Sequence, residues 1–203
     1  ASFIANLIQI PQRSIVSITL PALSQAWKDK DMIEIDRIYK RSAINLLLAA
    51  IFIFGGIWLN IADAFRLLNI QSEYATGITV IFILSISRLI DAGTGVNAQI
   101  IATSTQWRFE FMTGVILLLL ILPLNYILIK KIGIEGSAYA NLISFSIYNA
   151  IRYGFLWKRY NLQPFSSKTL QSILLGVAAY FISYLLFKEM TGWAGVFLRS
   201  TLF

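Results

Sequence analysis

Three charged residues stand deep inside long apolar stretches of this sequence: Arg13, Arg88 and Asp91. Arg88 lies about twelve residues into its stretch, roughly 18 Å along a helix. A guanidinium at that depth in hydrocarbon costs about 2.5–3.5 kcal/mol on insertion scales, so it has to face protein or water. Arg88 and Asp91 are three residues apart and share one helix face. The same spacing carries the stripe on through Gly95 and Gln99, with Asn97 further round. The stretch around Arg13 adds Asn6, Gln9 and Gln12, and contains Pro11 and Pro21, either of which can kink a helix. Two chemistries fit these groups. In one, Arg88 and Asp91 form a structural ion pair between packed helices, with Gly93 and Gly95 permitting close approach. In the other, Arg13 and Arg88 line a hydrated cavity and attract an anion, while Asp91 orients or discharges Arg88. The candidate substrate-binding set is Gln9, Arg13, Arg88, Asp91, Asn97 and Gln99.

The residue types that are missing limit the chemistry further. The sequence has no cysteine and no histidine. That removes disulfides, thiolate metal sites, and the usual general base of neutral-pH catalysis. No Gly-x-x-x-x-Gly-Lys loop occurs to cradle nucleotide phosphates. We therefore expect no enzyme, no metal and no cofactor.

The elements that must position these residues are membrane helices. Of 203 residues, 57% are hydrophobic and 13% charged, with a mean hydropathy of +0.69. A typical soluble domain carries about 25% charged residues, so lipid has to be the solvent for much of this chain. Residues 1–26, 42–62, 76–104, 111–129, 136–157 and 169–187 are each long enough to cross about 30 Å of hydrocarbon. Runs such as Ile116 to Leu122 do not alternate, which excludes barrel strands. A last apolar stretch runs from Trp193 to Phe203, short of the ~20 residues that a crossing needs. The expectation is an all-α, polytopic bundle of six complete spans and a truncated seventh, an internal piece of a longer protein.

The net charge is +7. No basic cluster of the kind nucleic acid needs is present, so the excess charge points to anionic headgroups. Connectors after the first, third and fifth spans hold Lys28, Lys30, Arg37, Lys40, Arg41, Arg108, Lys158, Arg159 and Lys168. The other set holds Arg66, Lys130, Lys131 and Lys188. The positive-inside rule puts the richer set in the cytoplasm. Trp27, Trp58, Trp107, Trp157 and Trp193 fall near span ends, where an aromatic belt belongs. Within 27–41, Asp31 and Glu34 have capping-box spacing, and Met32, Ile35, Ile38 and Tyr39 recur at helical intervals. This segment reads as a short amphipathic helix on the cytoplasmic interface, either a plain connector or a partner-binding element.

Several passages resemble the C-terminal half of the polysaccharide-biosynthesis flippases, oligosaccharide-lipid exporters of the MOP superfamily related to the multidrug and toxic-compound extrusion (MATE) transporters. They are Pro11-Gln12-Arg13-Ser14 through Pro21-Ala22-Leu23, Arg88 to Asp91 with Gly95 to Ile101, Leu124-Asn125-Tyr126 with Ile132 to Ala140, and Arg152 to Phe165. Ser137 stands where the family often has Ala. The resemblance implies a MATE-like C-lobe bundle over 1–157 and additional C-terminal helices over 158–203. It implies a multi-pass protein of the bacterial inner membrane that flips a polyprenyl-pyrophosphate-linked oligosaccharide for polysaccharide or lipopolysaccharide biosynthesis. Its implied partners are the lipid-linked oligosaccharide, the bilayer, a missing N-terminal lobe of the same chain and other polysaccharide-assembly proteins, with no nucleic acid. The alternative is a cation-coupled multidrug exporter of the same superfold, for which an acid-lined site is expected. A membrane-bound glycan polymerase or acyltransferase, and a non-transporting scaffold, are the remaining readings.

Overall fold

A computed structural model describes residues 2–67, 77–187, 189–190 and 192–203, and among them every regular element is helical. Lys188 of the basic count falls outside the described residues. The chain opens with α1 (Ser2–Asn6), a single 3₁₀ turn (Leu7–Gln9) and α2 (Ile10–Lys28). Pro11 sits in the first turn of α2, where its missing N–H costs no helical bond. Pro21 lies inside the helix. The hydroxyls of Ser17, Thr19 and Ser24 each donate to a carbonyl three or four residues back, so these polar groups are met within the helix itself.

A tight turn follows, with Lys30 in a left-handed conformation (φ 57°). The Asp31 carboxylate then accepts the Glu34 backbone N–H at 2.9 Å, capping the next helix. That helix, α3 (Met32–Leu67), runs unbroken for 36 residues, about 54 Å. The separate interfacial helix expected over 31–41 is therefore corrected: it is the first part of α3. The i,i+3 pair Arg37–Glu34 (2.5 Å) and the i,i+4 pair Lys40–Asp36 (2.6 Å) hold this charged part helical. Ile35 and Tyr39 are buried while Ile33 is exposed, so the segment is amphipathic, with its apolar side on the helix bundle.

The 76–104 stretch, expected as one helix, is two: α4 (Gly77–Gly93) and α5 (Asn97–Thr103), bent by 48° at the break. Next come α6 (Trp107–Ile132) and α7 (Glu135–Tyr160), an antiparallel hairpin turned at Gly133 (φ 70°). Gly136 packs on the backbone of Leu128 with no room for a Cβ, which lets the hairpin close. At the other end of α7, Asn161 adopts the left-handed conformation and the Leu162 N–H bonds the Leu156 carbonyl at 3.2 Å. Both leucines join the core, the apolar contact that accompanies this type of helix stop. The chain ends in α8 (Ser167–Phe187) and α9 (Gly192–Leu202), both packed on α3.

The main core gathers Leu23, Ile35, Tyr39, Val96, Ile100 and Leu156, joining α2, α3, α5 and α7. Among the described residues three helices, α3, α6 and α8, are long and apolar enough to cross a membrane; the bent α4–α5 pair reaches that length and apolarity only when taken together, as a broken span or a re-entrant loop. Only 6% of the apolar window of α6 is buried in the bundle, and 11% of that of α8. Leu119 (66% exposed) and Leu175 (70%) are typical of these open faces. Contiguous apolar surface on this scale belongs in lipid or against another apolar partner.

Candidate functional site: a polar cleft beside a broken helix

The 3₁₀ turn, α2, α4 and α5 enclose a cleft of about 260 Å³ lined by Gln9, Gln12, Arg13, Val16, Asp91 and Gln99. Gln9, Gln12, Arg13 and Val16 follow the i, i+3, i+4, i+7 pattern, so the 3₁₀ turn and α2 offer them as one face. Asp91 comes from the last turn of α4, and Gln99 from α5. Eight residues separate these two. A straight helix would carry Gln99 away from Asp91 along the axis. The 48° bend sets it against the same opening.

The break has a specific cause. Gly95 has φ 65°, and a Cβ there would lie 3.0 Å from the backbone and side chain of Ala43 on α3. Conformation and close approach both require glycine at this point. The last turn tightens before the break: Thr94 N–H is shared between the carbonyls of Ile90 and Asp91, and Gly95 N–H bonds that of Ala92.

The break is held from α7 by the buried amide of Asn149. Its Oδ1 accepts from Asn97 Nδ2 at 3.1 Å and lies 3.0 Å from Thr94 Oγ1. Its Nδ2 donates to Asp91 Oδ1 at 3.0 Å and lies 3.1 Å from the Phe145 carbonyl. One amide thus ties both sides of the break to the carboxylate that faces the cleft. The second oxygen of Asp91 accepts from Gln12 Nε2 at 3.4 Å, across the cleft.

The sequence-predicted residues therefore divide. Gln9, Arg13, Asp91 and Gln99 meet in the cleft. Asn97 is buried in the Asn149 network behind it. Arg88 lies outside the lining of this cleft, and among the described residues no ion pair joins it to Asp91. Its guanidinium stands over the Phe145 ring, 5.2 Å from the centroid. Both Arg88 readings, structural pair and cavity cation, assumed that three-residue spacing aims both side chains at one target. Asp91 instead turns to neutral amides, and Arg88 takes an aromatic face. The cleft thus holds one arginine and one aspartate, with three glutamine amides between them. Arg13 makes no hydrogen bond or ion pair within the described residues, which leaves its donors open to the cleft.

Two charge clusters were not singled out from the sequence. Arg152 of α7 donates from Nε to Glu110 Oε2 of α6 at 2.9 Å, bonds the second carboxylate oxygen through Nη2, and lies 3.6 Å from the Tyr148 ring centroid. Arg199 of α9 pairs with Asp63 of α3 and also donates to the carbonyls of Leu59 (3.2 Å) and Gly195 (3.0 Å). A signal existed for each. Glu110 and Arg152 sit at the same end of an antiparallel hairpin, and Asp63 directly follows a charge-free stretch. Neither cluster has spare hydrogen-bonding groups aimed at an opening, and both read as helix-to-helix ties. Among the described residues no group of three or more carboxylates stands close enough to hold a metal. No family model, no curated protein and no solved structure matches this chain, so the cleft itself carries the functional reading.

Proposed function

We propose that the chain is the substrate-handling half of a membrane transporter that moves a polyprenyl-pyrophosphate-linked oligosaccharide across the bacterial inner membrane. The observation that carries this reading is the composition of the cleft: three glutamine amides, a free guanidinium and an amide-tethered carboxylate, set among helices whose outer faces are apolar. Glutamine amides donate and accept, and so match sugar hydroxyls. The guanidinium of Arg13 offers a planar fork to pyrophosphate oxygens. The resemblance in the sequence supplies the opposite wall as a second lobe, and alternating access between lobes as the mechanism.

On this reading α2 and α7 also cross the membrane, for six crossings in all, and α9 begins a seventh. The first crossing takes α1, the 3₁₀ turn and α2 together, the 26 residues of α7 suffice for the other, and the polar residues of α7 turn towards α4 and α6. Cation-coupled drug export is the second reading, and Asp91 favours it: the cleft has an acid as well as a base. The test is glycan export in a strain lacking its own flippase, with protein abundance in the membrane checked. Arg13→Ala abolishes export, and Arg13→Lys restores part of it because a point charge replaces the fork. Full export by Arg13→Ala at normal abundance, with drug efflux lost in Asp91→Asn, transfers the reading to the exporter.

A further inference from the structure

A second cleft, of about 280 Å³, opens between α2 and α3, away from the residues of the first. Arg37, Arg41 and Asn45 stand on its rim at four-residue intervals, and so on one face of α3. Ile15 and Ile18 of α2 form an apolar wall, and Ile18 is 74% exposed. Glu34 also lines the cleft, but its carboxylate is already paired with Arg37 at 2.5 Å. Arg41 and Asn45 have no hydrogen bond or ion pair within the described residues. The lining therefore has two guanidiniums against one carboxylate, and Arg41 and Asn45 are its polar side chains with every donor unused.

Depth decides what these donors meet. Arg41 is the last charge before residues 42–62, which carry none. That charge-free length spans about 32 Å of helix, the thickness of the hydrocarbon. Arg41 is thereby set at headgroup level and Asn45 one turn deeper, where lipid esters lie. We infer that this cleft binds the phosphate headgroup of an anionic membrane lipid. The Arg41 fork takes the phosphate oxygens, the Asn45 amide donates to an ester carbonyl, and an acyl chain lies along Ile15 and Ile18. The apolar wall at the hydrocarbon edge favours a lipid over a soluble phosphate. This site is independent of what the first cleft transports.

The test uses the purified protein in neutral detergent, titrated with phosphatidylglycerol, phosphatidylcholine or inorganic pyrophosphate and read by native mass spectrometry. Phosphatidylglycerol binds in preference to phosphatidylcholine. Arg41→Ala and Arg41→Gln each weaken phosphatidylglycerol binding by at least about five-fold, the equivalent of one basic residue at an anionic surface. Arg41 is exposed and unpaired, so the melting temperatures of these variants match that of the parent. Lys168→Ala, an exposed basic residue outside the cleft, binds as the parent does. Unchanged binding in both Arg41 variants, or an equal loss in Lys168→Ala, overturns the proposal. So does pyrophosphate binding that Arg41→Ala abolishes without any preference among lipids, which assigns the cleft to a free phosphate.

Discussion

At the scale of single residues, the site depends on two positions that do not face it. Gly95 makes the break and Asn149 holds it. The sequence made Gly95 visible as a small residue on a polar stripe, yet spacing alone could not separate close packing from a change of helix direction. Asn149 carried no signal at all, because an asparagine in an apolar stretch announces a buried partner without naming it. Its side-chain partners lie more than 50 residues away in the chain. The glycine is the cleaner test. Gly95→Ala forces a Cβ into a left-handed residue and to within 3.0 Å of Ala43. Strain of that kind costs about 1–3 kcal/mol, with a similar amount for overpacking. Gly114→Ala on α6, where a Cβ meets nothing within 4 Å, is neutral or stabilises by up to about 1 kcal/mol. Thermal unfolding in detergent separates the two. Equal melting temperatures would mean that the break tolerates an ordinary residue.

At the scale of elements, hydropathy located the apolar stretches but misjudged where helices start and stop. Five of the first ten residues of α3 are charged and residues 42–62 carry no charge, so composition changes sharply near Ser42 while the backbone does not. Helix continuity follows backbone hydrogen bonds and local ion pairs, and neither requires a constant environment. Conversely, residues 76–104 have a uniform composition and a broken backbone. The docking of α9 was equally hidden, because a charge in a short apolar segment has no readable partner. Arg199 and Asp63 are both nearly buried, with side chains 9% and 7% exposed. Removing one partner of such a pair leaves an uncompensated buried charge, at about 3–5 kcal/mol, whereas an apolar replacement of both is often tolerated. Arg199→Met therefore lowers the unfolding temperature sharply, and the double variant Asp63→Leu with Arg199→Met recovers most of the loss. A double variant as unstable as the single one would show that α9 docks by the other bonds of Arg199, to the carbonyls of Leu59 and Gly195.

At the scale of the whole molecule, the bent α4–α5 pair determines how the bundle sits in a bilayer. Such a pair either crosses or turns back on itself. The packing argues for crossing. α4 follows the far end of α3, and α5 lies beside the α2–α3 turn, where Trp27 Nε1 donates to the Ile100 carbonyl at 3.0 Å. Together the 17 residues of α4 and the seven of α5 reach about 33 Å across their bend, enough for the hydrocarbon. From the same end, α6 then runs about 39 Å in the other direction to the Gly133 turn. On the proposed topology three crossings separate Lys30 from Lys131, which puts the two on opposite sides of the membrane. The chain has no cysteine, so single cysteines report without background. With a water-soluble maleimide on oriented vesicles, Lys30→Cys labels from the cytoplasmic side, as the richer basic set requires. Lys131→Cys labels from the other side. Leu119→Cys, 66% exposed on the open face of α6, stays unlabelled until the membrane is dissolved, because lipid and not water covers it. Labelling of Lys30→Cys and Lys131→Cys from one side would make α4–α5 a re-entrant loop. The cleft would then open at the membrane surface and lose the buried position that a flipping reaction needs.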